Sequence, residues 1–149
     1  MTGLSGEARE VALAETQAVL ALARDDAMRE RLGELVAEVD GGEVDGDAAD
    51  LLEQVLELGL QTGRVRAYYG PGGEQAALKT LRRLPRGRAR SDSARAVSDA
   101  LAALAGKTLE RVAIAAVAPG AYTVSIHADG LETSVRLDAV GARVVSVGA

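Results

Sequence analysis

The sequence predicts an α+β protein, with an N-terminal helical half of about four to five helices and then a three- to four-stranded antiparallel β-meander carrying helices on one face. Three observations predict it. Apolar residues recur at three- and four-residue spacing as far as about residue 106. Beyond that point the period falls to two. Between two alternating runs stands Asp129-Gly130, the dipeptide that best signals a two-residue hairpin.

Residues 5–24 read as a first helix, and Asp25-Asp26 as the start of a second over 26–39. Val11, Ala14, Ala18, Ala21, Met28, Leu32, Leu35 and Val39 form an apolar stripe, and Glu7, Glu10, Glu30, Glu34 and Glu38 lie opposite. So many alanines allow close helix approach, which suits a helical dimer. Residues 40–47 make a polar, glycine-rich break. An EF-hand loop would need an acidic or amide residue at its third position and glutamate at its twelfth. From Asp40 the third position is Gly42, so a solvated turn is expected. Asp47 is expected to cap a helix over 48–62, with Gly63 closing it. Residues 64–69 read as a short strand or extended link. Gly70 to Gly73 then opens a helix from Glu74 to Leu84, stopped by Pro85. Residues 86–90 read as a basic linker, and Ser91 or Ser93 as the cap of a last helix ending near Gly106. Strands are expected at 109–117, 121–128, 131–138 and 142–147. A two-residue turn at Asp129-Gly130 sets Ala128 against Leu131, His127 against Glu132, Val124 against Val135 and Tyr122 against Leu137. The expected organisation is an acidic helical segment, 1–44, and an α+β domain, 45–149, with helices over 46–106 and the meander over 108–148.

Composition narrows the chemistry. The 149-residue chain has no cysteine and one histidine, His127, so disulfides, a thiol nucleophile, a thiolate zinc site and a histidine-rich metal centre are excluded. The absence of cysteine fits a reducing compartment. No secretory leader pattern and no apolar run of membrane-spanning length are seen, so a cytoplasmic protein without a membrane partner is expected. No cofactor is implied. Asp50, Glu53 and Glu57 share one helix face, and such faces are ordinarily solvated. An enzyme is the least supported class.

Charge is segregated. Residues 1–63 hold 15 acidic and four basic groups, residues 64–95 nine basic and two acidic, and residues 96–149 four basic and five acidic. The first function expected is therefore a non-catalytic accessory, scaffold or regulatory module, acting by protein–protein contact or self-association, with the acidic helices as contact and a homodimer as the simplest form. The second is a small-anion or nucleotide site at Arg64, Arg66, Tyr68, Tyr69, Gly70, Gly72 and Gly73. There, free amides at a helix start would face an anion and the arginines would add charge. Neither a Walker loop nor a dinucleotide fingerprint is present. The third is nucleic-acid binding through Lys79, Arg82, Arg83, Arg86, Arg88 and Arg90, which the acidic remainder of the chain would oppose.

The tail from Val135 through Asp138 and Gly141 to Val147 resembles the helix-plus-meander pattern of PepSY-type modules, over roughly residues 92–149. That resemblance implies a binding or inhibitory module rather than an enzyme. Members of that family are usually exported or membrane-tethered, and this chain shows no export signal.

Overall fold

The computed structural model describes every residue, Met1–Ala149. Five helices precede a four-stranded antiparallel sheet, so the fold is α+β. The helices are α1 (Gly6–Leu22), α2 (Asp26–Gly41), α3 (Gly46–Gln61), α4 (Arg64–Arg83) and α5 (Pro85–Leu101). Two short strands, β1 (Thr2–Gly3) and β2 (Glu43–Val44), pair with each other. The main sheet holds β3 (Leu109–Ala118), β4 (Ala121–Ala128), β5 (Leu131–Asp138) and β6 (Gly141–Gly148), in that spatial order. No helix is long and apolar enough to cross a membrane. The chain divides into two compact units, Met1–Arg88 and Ala89–Ala149. The expected boundary after residue 44 does not coincide with this division, because α1 and α2 share one core with α3 and α4.

That core contains Val11, Leu32, Leu35, Val39, Leu52, Leu56, Val65 and Ala77. The stripe expected to face a second copy is therefore largely used within the unit. On α1 the buried face is Val11, Ala12, Glu15 and Thr16, while Ala14 and Ala18 are half-buried and Ala21 is exposed. Arg9 holds α1 to the end of α2. Its Nε donates to the Val39 carbonyl at 3.3 Å, and its Nη2 lies 2.7 Å from Asp40 Oδ1. A cation at these last carbonyls also complements the helix dipole.

Several local expectations are corrected. The cap of α3 is Asp45, whose carboxylate accepts from Gly46 N at 2.8 Å, so the helix starts before Asp47. Asp25 does cap α2, accepting from Met28 N at 2.8 Å. The turn expected over 40–47 includes β2, whose two residues are too few to show a period. Residues 64–69 are helical, because Gly63 (φ 72°) both follows α3 and starts α4. Gly70 (φ 69°, ψ −171°) breaks α4 into two stretches, the second opening with Pro71, a residue suited to a first helical turn. Pro85 likewise begins α5, so residues 86–90 are helix rather than linker, and Ser93 lies mid-helix. There its hydroxyl donates to the Ala142 carbonyl of β6. A Cβ at Gly87 would overlap the Leu81 carbonyl, so only glycine allows this close turn from α4 into α5.

The main sheet has the expected pairing: Ala128 with Leu131, His127 with Glu132, Val124 with Val135 and Tyr122 with Leu137. Asp129 (φ 47°) and Gly130 (φ 75°) both take positive φ, which a tight two-residue hairpin requires. The last turn is held by Asp138. Its Oδ1 accepts from Val140 N at 3.0 Å and Gly141 N at 3.3 Å, and its Oδ2 lies 3.1 Å from Arg143 and 3.5 Å from Arg136. Desolvation pushes this carboxyl's pKa up, but the two amide hydrogen bonds and the two arginines together hold it below the usual range.

Leu56→Ala, at a fully buried core position, should lower unfolding free energy by roughly 2–5 kcal/mol, whereas Leu58→Ala, at an exposed one, should cost about 0.5 kcal/mol or less. Urea denaturation checks both. The Asp138 carboxylate has a folded pKa below its unfolded one. Its stabilisation is complete above about pH 4 and is lost as pH falls through the folded value. Asp138→Asn should therefore be less stable than the parent at neutral pH, with the gap closing in acid.

Candidate functional site: a buried carboxylate cluster and an exposed sheet edge

Two places stand out chemically, one in each unit. In the helical unit, Glu15 of α1 is 1% exposed. Its Oε1 accepts from Arg64 Nε at 3.1 Å and from the Tyr69 hydroxyl at 3.0 Å. Both partners come from the first stretch of α4, five residues apart. The Arg64 guanidinium also lies over the Tyr68 ring, 4.7 Å from its centroid. Glu15 raises the pKa of Arg64 through its hydrogen bond and charge. The Tyr69 hydroxyl is also pushed up, first by desolvation and then by the same carboxylate. Gly59 of α3 makes the room: a Cβ there would come within 2.7 Å of Glu15 Oε2 and 2.8 Å of Val65. An apolar cleft opens beside the cluster, with Leu22 and Leu58 exposed on its rim.

The structure thus joins Arg64, Tyr68 and Tyr69 but gives Arg64 and Tyr69 an internal anion. Arg66 turns elsewhere, to Glu74 at 3.6 Å. Gly70, Gly72 and Gly73 mark the break in α4. Gly72 lies against Glu7, whose Oε1 a Cβ would approach to 3.1 Å, and a Cβ at Gly73 would overlap Tyr69. Carboxylates of the chain itself therefore stand where an external anion was expected. Glu15 was not legible as a site residue. Its only sequence signal is a charge within a run of apolar residues, and its partners lie 49 and 54 residues away.

The basic residues are divided between two helices, Lys79, Arg82 and Arg83 on α4 and Arg86, Arg88 and Arg90 on α5. Lys79 and Arg82 line a surface depression with Glu7 and Gln75. Arg83 offers its carbonyl to Thr2 at 3.5 Å, and Arg86 reaches Asp50 at 4.0 Å. On α5, Arg86 and Arg90 are four apart and share a face, and Arg88 lies off it. Of the acidic face on α3, Glu53 is fully buried rather than solvated. His127 Nε2 lies 3.7 Å from Glu132, as a cross-strand pair. No group of three or more histidine, aspartate or glutamate side chains is placed to hold a metal ion.

The second place is the sheet. Burial falls across it. Thr133, Ser134 and Val135 of β5 are buried, β4 is mostly half-buried, and every residue of β3 but Ala113 is exposed. Val112 and Ile114 are 56% and 66% exposed. They share a face with their partners Ile126 and Val124. Tyr122, Leu137 and Val147 are exposed as well.

No family model, no curated protein and no solved structure matches this chain. The likeness of residues 92–149 to PepSY-type modules thus rests on hairpin rhythm alone.

The crowding at Gly59 gives a test of the cluster. Gly59→Ala should destabilise the chain by roughly 1–3 kcal/mol. In a Glu15→Ala background the same substitution should cost less, since one of its two clashes is gone. A double-mutant cycle by urea denaturation measures the difference.

Proposed function

We propose that this chain is a non-catalytic cytoplasmic protein that acts through protein–protein contact, self-association above all, with the sheet unit as its contact surface. The observation that carries this reading is the exposure of β3, a ten-residue strand with apolar side chains bare on both faces. Soluble proteins rarely leave contiguous apolar surface of this kind unless something covers it. The helical unit supports the reading from the other side. Its apolar stripe is spent on its own core, and the polar cluster at Glu15 is satisfied by Arg64 and Tyr69. The cysteine-free composition fits a reducing compartment.

Sedimentation velocity over a dilution series tests the proposal. A species heavier than the 15.3 kDa chain is expected, dissociating on dilution. The double substitution Val112→Lys with Ile114→Lys should shift it to the single-chain mass with the far-ultraviolet circular dichroism unchanged. A parent protein that sediments as one chain at every concentration would overturn self-association.

A further inference from the structure

Resting on the reading just given, we infer that the occupant of the bare surface is a second copy of this chain, joined edge to edge through β3 about a twofold axis. The result would be one continuous eight-stranded sheet.

The edge is open. β3 is the outermost strand, paired on one side only with β4, so its other side presents backbone N–H and C=O groups along its length. From Arg111 to Ala116 its pairing with β4 is regular, and the irregularities fall only at Leu109/Arg111 and Ala116/Ala118. Residues 112–116 carry none of the usual devices that blunt an edge: they contain no charge, no proline and no glycine, and the irregularity at Ala116/Ala118 falls at their end. The opposite edge differs. β6 begins and ends in glycine, carries Arg143, and is shifted in register against Ser134/Val135. One edge is open and the other interrupted, so pairing β3 to β3 closes at two chains, whereas pairing β3 to β6 would propagate without end.

The strand is also complementary to itself. In an antiparallel pair centred on Ile114, Val112 meets Ala116 of the second copy, and Ala113 meets Ala115. Val112 thus faces a small residue, the two alanines leave room beside them, and Ile114 meets its own counterpart at the axis. Glu110 meets Ala118 and Arg111 meets Val117, so no like charges oppose each other. Because paired residues share parity, the face formed by Val112, Ile114, Tyr122 and Val124 continues unbroken into the partner. Charge at larger scale agrees. Residues 89–149 hold six basic and six acidic groups, so two sheet units meet without net repulsion, while residues 1–88 carry the chain's whole excess, 11 basic against 16 acidic.

The absence of cysteine allows a clean test on the full chain. Ile114→Cys introduces a single thiol at the axis of the proposed pair. Directly opposed residues in antiparallel strands have Cα atoms about 4.5–5.5 Å apart, within disulfide range. Under a glutathione redox buffer this variant should form a covalent dimer. Val147→Cys, exposed on β6, should form no covalent dimer under the same conditions. If Val147→Cys cross-links as fast as Ile114→Cys, edge pairing through β3 is wrong. A heavier parent species combined with an Ile114→Cys variant that associates without cross-linking would likewise overturn this geometry while leaving self-association standing. A parent that stays a single chain in sedimentation, with neither thiol cross-linking, would remove both.

Discussion

The way α1 meets α4 in the helical unit depends on the buried carboxylate of Glu15. Glu15 occupies a position where α1 must face the core, and a bare carboxylate there would be costly to bury. Arg64 and Tyr69 remove that cost only if the first stretch of α4 runs alongside α1 with both side chains turned inward. That requirement explains three features at once. Gly63 lets the chain reverse sharply after α3, Gly59 leaves room for the carboxylate, and Gly70 ends the stretch once Tyr69 has been delivered. Apolar packing by Leu52, Leu56 and Val65 supplies most of the burial. The polar cluster makes one arrangement of α1 against α4 better than its neighbours, since any slip would leave Glu15 without its donors.

The two units are built on opposite economies of surface. Residues 1–88 turn their apolar groups inward and carry the charge excess outside. Residues 89–149 are electrically balanced and leave apolar groups bare along one edge. The acidic helices first suggested themselves as the contact because their stripe is conspicuous in sequence, yet a stripe shows only that a helix has something to bury. Its burial partner here is the rest of the same unit. The sheet, whose alternation looks like that of an ordinary half-solvated meander, is where exposed apolar surface remains.

This contrast also marks how much was legible beforehand. The four main strands could be read from the period of two, and the register of β4 on β5 from a two-residue turn that admits one pairing. Helix existence was legible from spacing, but junctions were not. Gly63 and Pro85 read in sequence as ends and Gly70 as a beginning, and each serves both roles, since the same backbone freedom or fixed φ suits either. The arginines of 64–66 and 86–90 looked like a ligand site and a linker for that reason. Glu15 was hidden more deeply. A charged residue on an apolar helix face is explained only by its partners, and nothing local names residues 64 and 69.

The cluster at Glu15 also bears on how this sequence is free to drift. Positions 15, 59, 64 and 69 lie on three different helices, yet none can change alone without exposing a fault in another. An apolar residue at 15 strands a guanidinium, and a side chain at 59 evicts a carboxylate. These four positions should therefore vary together among descendants of this chain or not at all, a coupled set amid helices whose outer faces are open to substitution.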